Sequence, residues 1–313
     1  MTDSTVIKAI NNIRKDDIII AFMGPTGCGK SYFIDLLTGQ IGKRAGASLA
    51  SVTSDIQATR VRHRKYGDRI VLVDTPGFDD THRSDMEILT LINEWLERTY
   101  KNDVKLSGLI YLHRITDNRM AGSPLKNLRM FGNLCGDNAA SRVILVSTMW
   151  EKVDQSIGQR REGQLKSEFW QGLIERGSSV DRLRNSSSVE AWRVVDSMIS
   201  TTEQREVVLL QQEVVELERK LNETEAGKAL HTSLQRLLYD QKETLKSLLA
   251  QVEKSDDPRL KVELEKEYKK IQSQFDKTFK EVNKMKIPIG RRLMLIFSFK
   301  KPSSKAIKIA ESR

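Results

Sequence analysis

The stretch Gly24-Pro-Thr-Gly-Cys-Gly-Lys-Ser31 constrains this chain more than any other. Its spacing is glycine, four residues, then glycine-lysine-serine. It follows Ile18-Ile-Ile-Ala-Phe-Met23, an apolar run without alternation, which reads as a strand covered on both faces. It runs into Ser31-Tyr-Phe-Ile-Asp-Leu-Leu-Thr38, whose apolar residues share one helical face, with Gly39 as a C-cap. Strand, glycine-rich loop, helix is the order that aims backbone N–H groups and a helix N-terminus at phosphate. Gly24, Pro25, Thr26, Gly27, Cys28, Gly29, Lys30 and Ser31, with Tyr32 following, are the candidate phosphate-binding residues. Lys30 is expected to act catalytically by reaching the β- and γ-phosphates, and Ser31 to hold Mg²⁺.

A second motif, Asp74-Thr-Pro-Gly77, ends the apolar run that starts at Ile70. There Asp74 is placed to hold Mg²⁺ through water, and Gly77 to offer its N–H to a γ-phosphate. Runs at Leu109–His113 and Val143–Ser147 read as further buried strands, and Met86–Tyr100 and Val189–Ile199 as helices. Thr59–Ile70, with its Tyr-Gly-Asp turn, reads as an edge strand turning back into the Ile70 strand. The expected fold class is α/β: a doubly wound, mostly parallel sheet followed by an α-helical coiled-coil or hairpin extension.

This pairing of motifs resembles the G domain of the translation-factor-class GTPases, and within them the septin, Toc and GIMAP-like groups, over about residues 16 to 200. The resemblance implies GTP/GDP and Mg²⁺ as ligands. It implies a threonine between the two motifs that completes the Mg²⁺ shell. Ser51-Val-Thr53 matches the Ser-Val-Thr of GIMAP-like proteins, so Thr53 is preferred as metal-binding and catalytic; Thr59, in Gln57-Ala-Thr-Arg60, stays as the alternative. Guanine is read in this class by Asn-Lys-x-Asp. Here Thr148 and Glu151 stand in the Asn and Asp places, and Asn185 is placed near the base; the competing reading of Ser186 to Ser188 is a helix N-cap. No water-positioning glutamine follows Gly77. Hydrolysis is accordingly expected to be slow, or aided across a G-domain dimer, with Arg114 and Arg119 as candidate contacts. The phrases IYLHRITDNRMAGSPLKNLRMF and STMWEKV resemble a group of fungal G-domain proteins with a helical C-terminal region.

Beyond about residue 200 proline and glycine nearly vanish, and leucine and valine step by three and four in two phases that break near Ala226-Gly-Lys228. Asp256-Asp-Pro258 ends one helix and a second follows to about Lys284, so an intramolecular hairpin and an intermolecular coiled coil are both open. From Lys284 to Arg313 there are nine Lys or Arg and one Glu, most of the chain's net charge of +10. This basic tail reads either as an amphipathic arm on an anionic membrane surface or as an apolar strap packed on the globular domain. It lacks interleaved aromatics, so nucleic acid is not an expected partner.

The expected organisation is an N-terminal segment (1–15), a G domain (16–202), a helical region (203–285) and the basic tail (286–313). Neither a secretory signature in the first twenty residues nor an apolar run of about 18 residues is present. Two cysteines, Cys28 and Cys135, are too few for a disulfide framework, so a cytoplasmic setting is expected, with peripheral membrane association through the basic tail as its open extension. The function these features point to is a guanine-nucleotide-binding switch with slow GTP hydrolysis that forms a homodimer or oligomer. A permanently GTP-bound scaffold and an ATP-dependent remodeller are the alternatives.

Overall fold

The computed structural model describes residues 4–7, 13–40, 55–78, 83–101, 104, 106–120, 122–200, 221–255, 257–286, 305–307 and 309. The chain divides into two compact units. One is Met1–Arg219 with Lys300–Arg313; the other is Lys220–Phe299.

The first unit is built on a seven-stranded sheet: β1 (Ser4–Ile7), β2 (Ile18–Met23), β3 (Gln57–His63), β4 (Gly67–Asp74), β5 (Gly108–Arg114), β6 (Val143–Thr148) and β7 (Ser179–Arg182). Their order in space is β1-β3-β4-β2-β5-β6-β7. β2 lies parallel to β4 and β5, and β6 parallel to β5 and β7. Only β3 runs against the rest, pairing antiparallel with β1 on one side and β4 on the other. The four apolar runs form the four central strands, where both faces are covered. β3 turns back into β4 through the Tyr-Gly-Asp turn, but it is not the edge its polar pattern suggested, because β1 pairs along its other side.

The helices of this unit are α1 (Lys30–Thr38), α2 (Asp85–Lys101), α3 (Ser123–Cys135), α4 (Gln155–Gln164), α5 (Gln171–Ile174) and α6 (Ser188–Ser200). On one face of the sheet Ile20, Phe22, Ile70, Leu72, Ile110, Leu112, Ile144 and Val146 form one core with Phe33, Ile34, Leu36 and Leu37 of α1. Ala191, Val194, Val195 and Met198 of α6 complete it. Strand residues in between point to the opposite face. There Tyr111 packs on Phe131 of α3 with ring centroids 4.8 Å apart. Helices on both faces make the sheet doubly wound.

In the second unit α7 (Glu225–Lys254) and α8 (Pro258–Lys284) pack on each other as a hairpin. Asp257 caps α8, its carboxylate accepting from the N–H of Arg259, and Pro258 occupies the first turn, where no N–H is needed. In α8 Leu264, Tyr268, Ile271, Phe275, Thr278 and Val282 are turned from solvent at spacings of four and three, a seam that Met285 continues just past the helix; Glu281, beside Val282, is also half-buried. The break near Ala226 is a helix start: Thr224 Oγ1 accepts from the N–H of Gly227 at 3.0 Å. The earlier phase, Val207 to Leu221, lies almost wholly outside the described residues.

Among the described residues no helix is long and apolar enough to cross a membrane. Residues 287–304, the stretch read as a membrane arm or strap, lie outside the described residues. The chain beyond them is seated on the first unit: Ile307 and Ile309 are buried there.

Candidate functional site

At the C-terminal ends of β2 and β4 the two glycine-bearing loops touch. Gly24, Gly27 and Gly29 all take positive φ, which turns the chain sharply between β2 and α1. Lys30 is 6% exposed. Its Nζ donates to the carbonyl oxygens of Gly24 (2.9 Å) and Pro25 (3.1 Å), so the ammonium lies within the curl of the loop. Ser31 Oγ donates to Oδ2 of Asp74 at 2.7 Å. A Cβ on Gly77 would meet the backbone nitrogen of Thr26 at 2.5 Å, closer than real contacts allow. Glycine is therefore required there by close approach. Thr75 Oγ1 donates to the carbonyl of Phe22 at 2.8 Å and ties this turn to β2. That brace was not legible in the sequence, because its partner is a backbone atom on another strand.

Cys28 is fully buried, and burial pushes its thiol above the ordinary range, so it stays protonated and unreactive within the loop. Its carbonyl oxygen accepts a 2.9 Å hydrogen bond from Thr148 Oγ1, which also lies 3.3 Å from the carbonyl of His113. Thr148 thus braces the loop from β6 with the hydroxyl that the sequence assigned to the base. Tyr32 leans on the apolar core.

Past Thr148 the chain reverses at Met149, whose φ of 64° is the only positive value at a described non-glycine residue. The reversal brings Glu151 onto an exposed turn. One carboxylate oxygen accepts from the N–H of Ser186 and the other from its hydroxyl, both at 3.0 Å. Glu151 and the exposed Asn185, one residue before Ser186, are thereby brought to one place, 34 positions apart in sequence. Asp154, three residues further on, is the N-cap of α4 and accepts from Ser156 and Ile157.

Arg114 stands against the phosphate loop: a Cβ on Gly27 would lie 3.3 Å from its guanidinium. Asp117 pairs with it at 3.0 Å. His113, buried beside them, is lowered to about 4 by desolvation, with Asp117 opposing and Arg114 adding to the shift, so it is neutral near pH 7. Thr53 lies outside the described residues. Thr59, the alternative, sits mid-strand in β3 at 1% exposure, paired across from Leu72.

Among the described residues no three His, Cys, Asp or Glu side chains cluster as a metal cage. The serine hydroxyl and single carboxylate at Ser31 and Asp74 suit Mg²⁺ nonetheless. That ion keeps several waters and takes one or two carboxylates together with phosphate oxygens.

Residues 19–146 match the family model described as 50S ribosome-binding GTPase. A search of the curated proteins found no match. Among solved structures, Toc33 from Arabidopsis thaliana in complex with Mg²⁺ and GMPPNP is 15% identical, covering 62% of this chain and 88% of that one, with a TM-score of 0.46. Toc33 in complex with GDP and Mg²⁺ is 17% identical over 62% and 87%, with a TM-score of 0.45. Era from Aquifex aeolicus is 14% identical over 60% and 58%, with a TM-score of 0.40.

Proposed function

We propose that the chain is a guanine-nucleotide-binding switch with slow GTP hydrolysis. The observation that carries this reading is the 2.7 Å bond between Ser31 and Asp74. It joins the phosphate loop to the end of β4, where a triphosphate and Mg²⁺ are held in this class of fold. Lys30 gives up its two loop carbonyls and takes the β- and γ-phosphates. Ser31, and Asp74 through water, would hold Mg²⁺, which would supply charge neutralisation for the phosphates. The N–H of Gly77 would meet the γ-phosphate, and Thr53 is the residue proposed to complete the metal shell. Because Gly77 touches Thr26, loss of that phosphate is felt by both loops at once.

Guanine is favoured over adenine by the Glu151 carboxylate, placed where it can accept from the base N–H groups beside Asn185. The GTPase family match over residues 19–146 supports the same choice. The Toc33 structures hold GDP or GMPPNP with Mg²⁺. Residue 78, after Gly77, is phenylalanine rather than a water-positioning residue. This favours slow turnover, raised by pairing of two G domains at the edge that carries Arg114 and Arg119. It equally motivates the second reading, a scaffold that keeps its GTP. The helical hairpin mediates assembly.

Fluorescent GDP and ADP titrated against the protein with Mg²⁺, alongside Lys30→Ala, test the reading. Tight GDP binding, weak ADP binding and loss in the variant are expected. ADP binding as tight as GDP would sink the guanine assignment. Multiple-turnover phosphate release then separates switch from scaffold.

A further inference from the structure

Gly132 sits in the third turn of α3, where glycine costs about 1 kcal/mol relative to alanine. The structure shows what occupies the space a side chain would fill. A Cβ there would lie 2.9 Å from the carbonyl oxygen of Ile307 and 3.5 Å from Ile307 Cβ and Ile309 Cγ1. The N–H of Ile307 donates to the carbonyl of Gly132 at 3.2 Å. One turn on, the N–H of Asp137 donates to the carbonyl of Lys305 at 2.8 Å, and the carboxylate of Asp137 accepts from the N–H of Lys305 at 2.7 Å. Ile307 is 2% exposed and Ile309 9%. Two buried isoleucines at i and i+2 are the signature of an extended segment laid with one face down. Backbone bonds give this contact affinity, and the notch with its two apolar positions gives it selectivity, the logic of peptide recognition.

We propose that the Gly132 notch of α3 is an exchangeable docking site, and that the Lys305–Ile309 segment of a second copy of this chain takes it in trans. Three observations support that occupant. The segment's fit is already displayed in cis. Residues 285–304 join the end of α8 to Lys305, a contour length of roughly 65 Å at most. Exchange of an identical element costs little, because every contact made in trans replaces the same contact broken in cis. The proposal is independent of the nucleotide reading, since none of its residues belongs to the loops described above.

The test uses full-length chains. One carries Ile307→Asp and Ile309→Asp, leaving an open notch and a dead tail. Another carries Gly132→Val, leaving a live tail and a blocked notch. Fluorescence anisotropy of the labelled Gly132→Val chain, titrated with the Ile307→Asp/Ile309→Asp chain, is expected to saturate. Titration with a chain carrying all three substitutions is expected to show at least a tenfold weaker interaction. A dimer formed through any other surface would bind both acceptors alike, and that result overturns the proposal.

A labelled peptide of residues 303–313 is the second measurement. It is expected to bind the dead-tail chain at least tenfold tighter than wild type, whose own tail competes as a tethered ligand. No binding to the dead-tail chain removes the docking site altogether. Binding of the peptide without the paired-chain complex leaves the site serving its own tail only, and overturns the second copy as occupant. Far-UV circular dichroism checks folding. If Gly132→Val unfolds, Gly132→Ala replaces it, since its single Cβ already meets Ile307.

Discussion

The hydroxyl of Thr148 donates a 2.9 Å hydrogen bond to the carbonyl oxygen of Cys28, tying the end of β6 to the middle of the phosphate loop. Both residues are buried, so the bond is shielded from water. Thr148→Val keeps the shape and removes the donor, leaving a buried carbonyl short of its partner. The expected loss is about 1–3 kcal/mol of stability. Nucleotide affinity is expected to fall while the preference between guanine and adenine stays unchanged. Thermal unfolding and paired GDP and ADP titrations check this. A selective loss of guanine affinity would return Thr148 to the role of base reader.

Glu151 is exposed, and both oxygens of its carboxylate accept from Ser186. Glu151→Ala is expected to leave the melting temperature within about 1–2 °C, because surface changes of this kind cost roughly half a kcal/mol or less. Its effect should appear in selectivity. Loss of a hydrogen-bonding partner for the base is worth about tenfold or more against guanine. Competition between GDP and ADP for the fluorescent nucleotide measures it, and an unchanged ratio would remove Glu151 from the site.

Gly77→Ala places a methyl group 2.5 Å from the Thr26 nitrogen. One of the two loops must shift. Expected is loss of tight nucleotide binding together with destabilisation of about 1–3 kcal/mol, the usual cost of overpacking. Isothermal titration with GDP, read beside chemical denaturation, distinguishes this from Lys30→Ala, which removes a charge and with it the binding, without crowding the loop.

His113 gives the fold a pH dependence. Its folded value of about 4 lies below the ordinary 6.5, chiefly through burial. Between those values the unfolded chain binds the proton and the folded one does not, so stability rises with pH across the window. The contribution is present above about 6.5 and is lost as pH falls toward 4. Its full size is about 3 kcal/mol at 1.36 kcal/mol per unit. His113→Phe, similar in shape and without the titrating group, is expected to flatten denaturation midpoints measured from pH 7 to 4.5. A slope equal to wild type would assign the acid sensitivity to carboxylates instead.

What could be read from the sequence was what is written contiguously. β2, the phosphate loop and α1 adjoin one another, so their pattern carried both the fold and the loop. The break between the two C-terminal helices was marked by Asp256-Asp-Pro258, a cap and a stop in adjacent positions, which left a hairpin and an intermolecular coiled coil both open. β7 was hidden because Ser-Val-Asp-Arg is too polar and short to announce a strand. The Thr148–Cys28 bond joins a side chain to a backbone atom 120 positions away, and backbone atoms leave no trace in sequence. Glu151 and Asn185 were each nameable, but Ser186, which links their loops, was seen only as a possible cap. The Ile307 clasp rests on two isoleucines within a basic tail, where charge dominates the eye and a buried pair does not stand out.

The chain leaves its first unit after Arg219 and re-enters it at Lys300. The hairpin is therefore an excursion with two attachments and not an appendage with one. With the clasp at Gly132 closed, the polypeptide between is a ring, and rings obey different rules from free ends. A single cut within the excursion would leave the terminal segment held by the few bonds at Gly132 and Asp137.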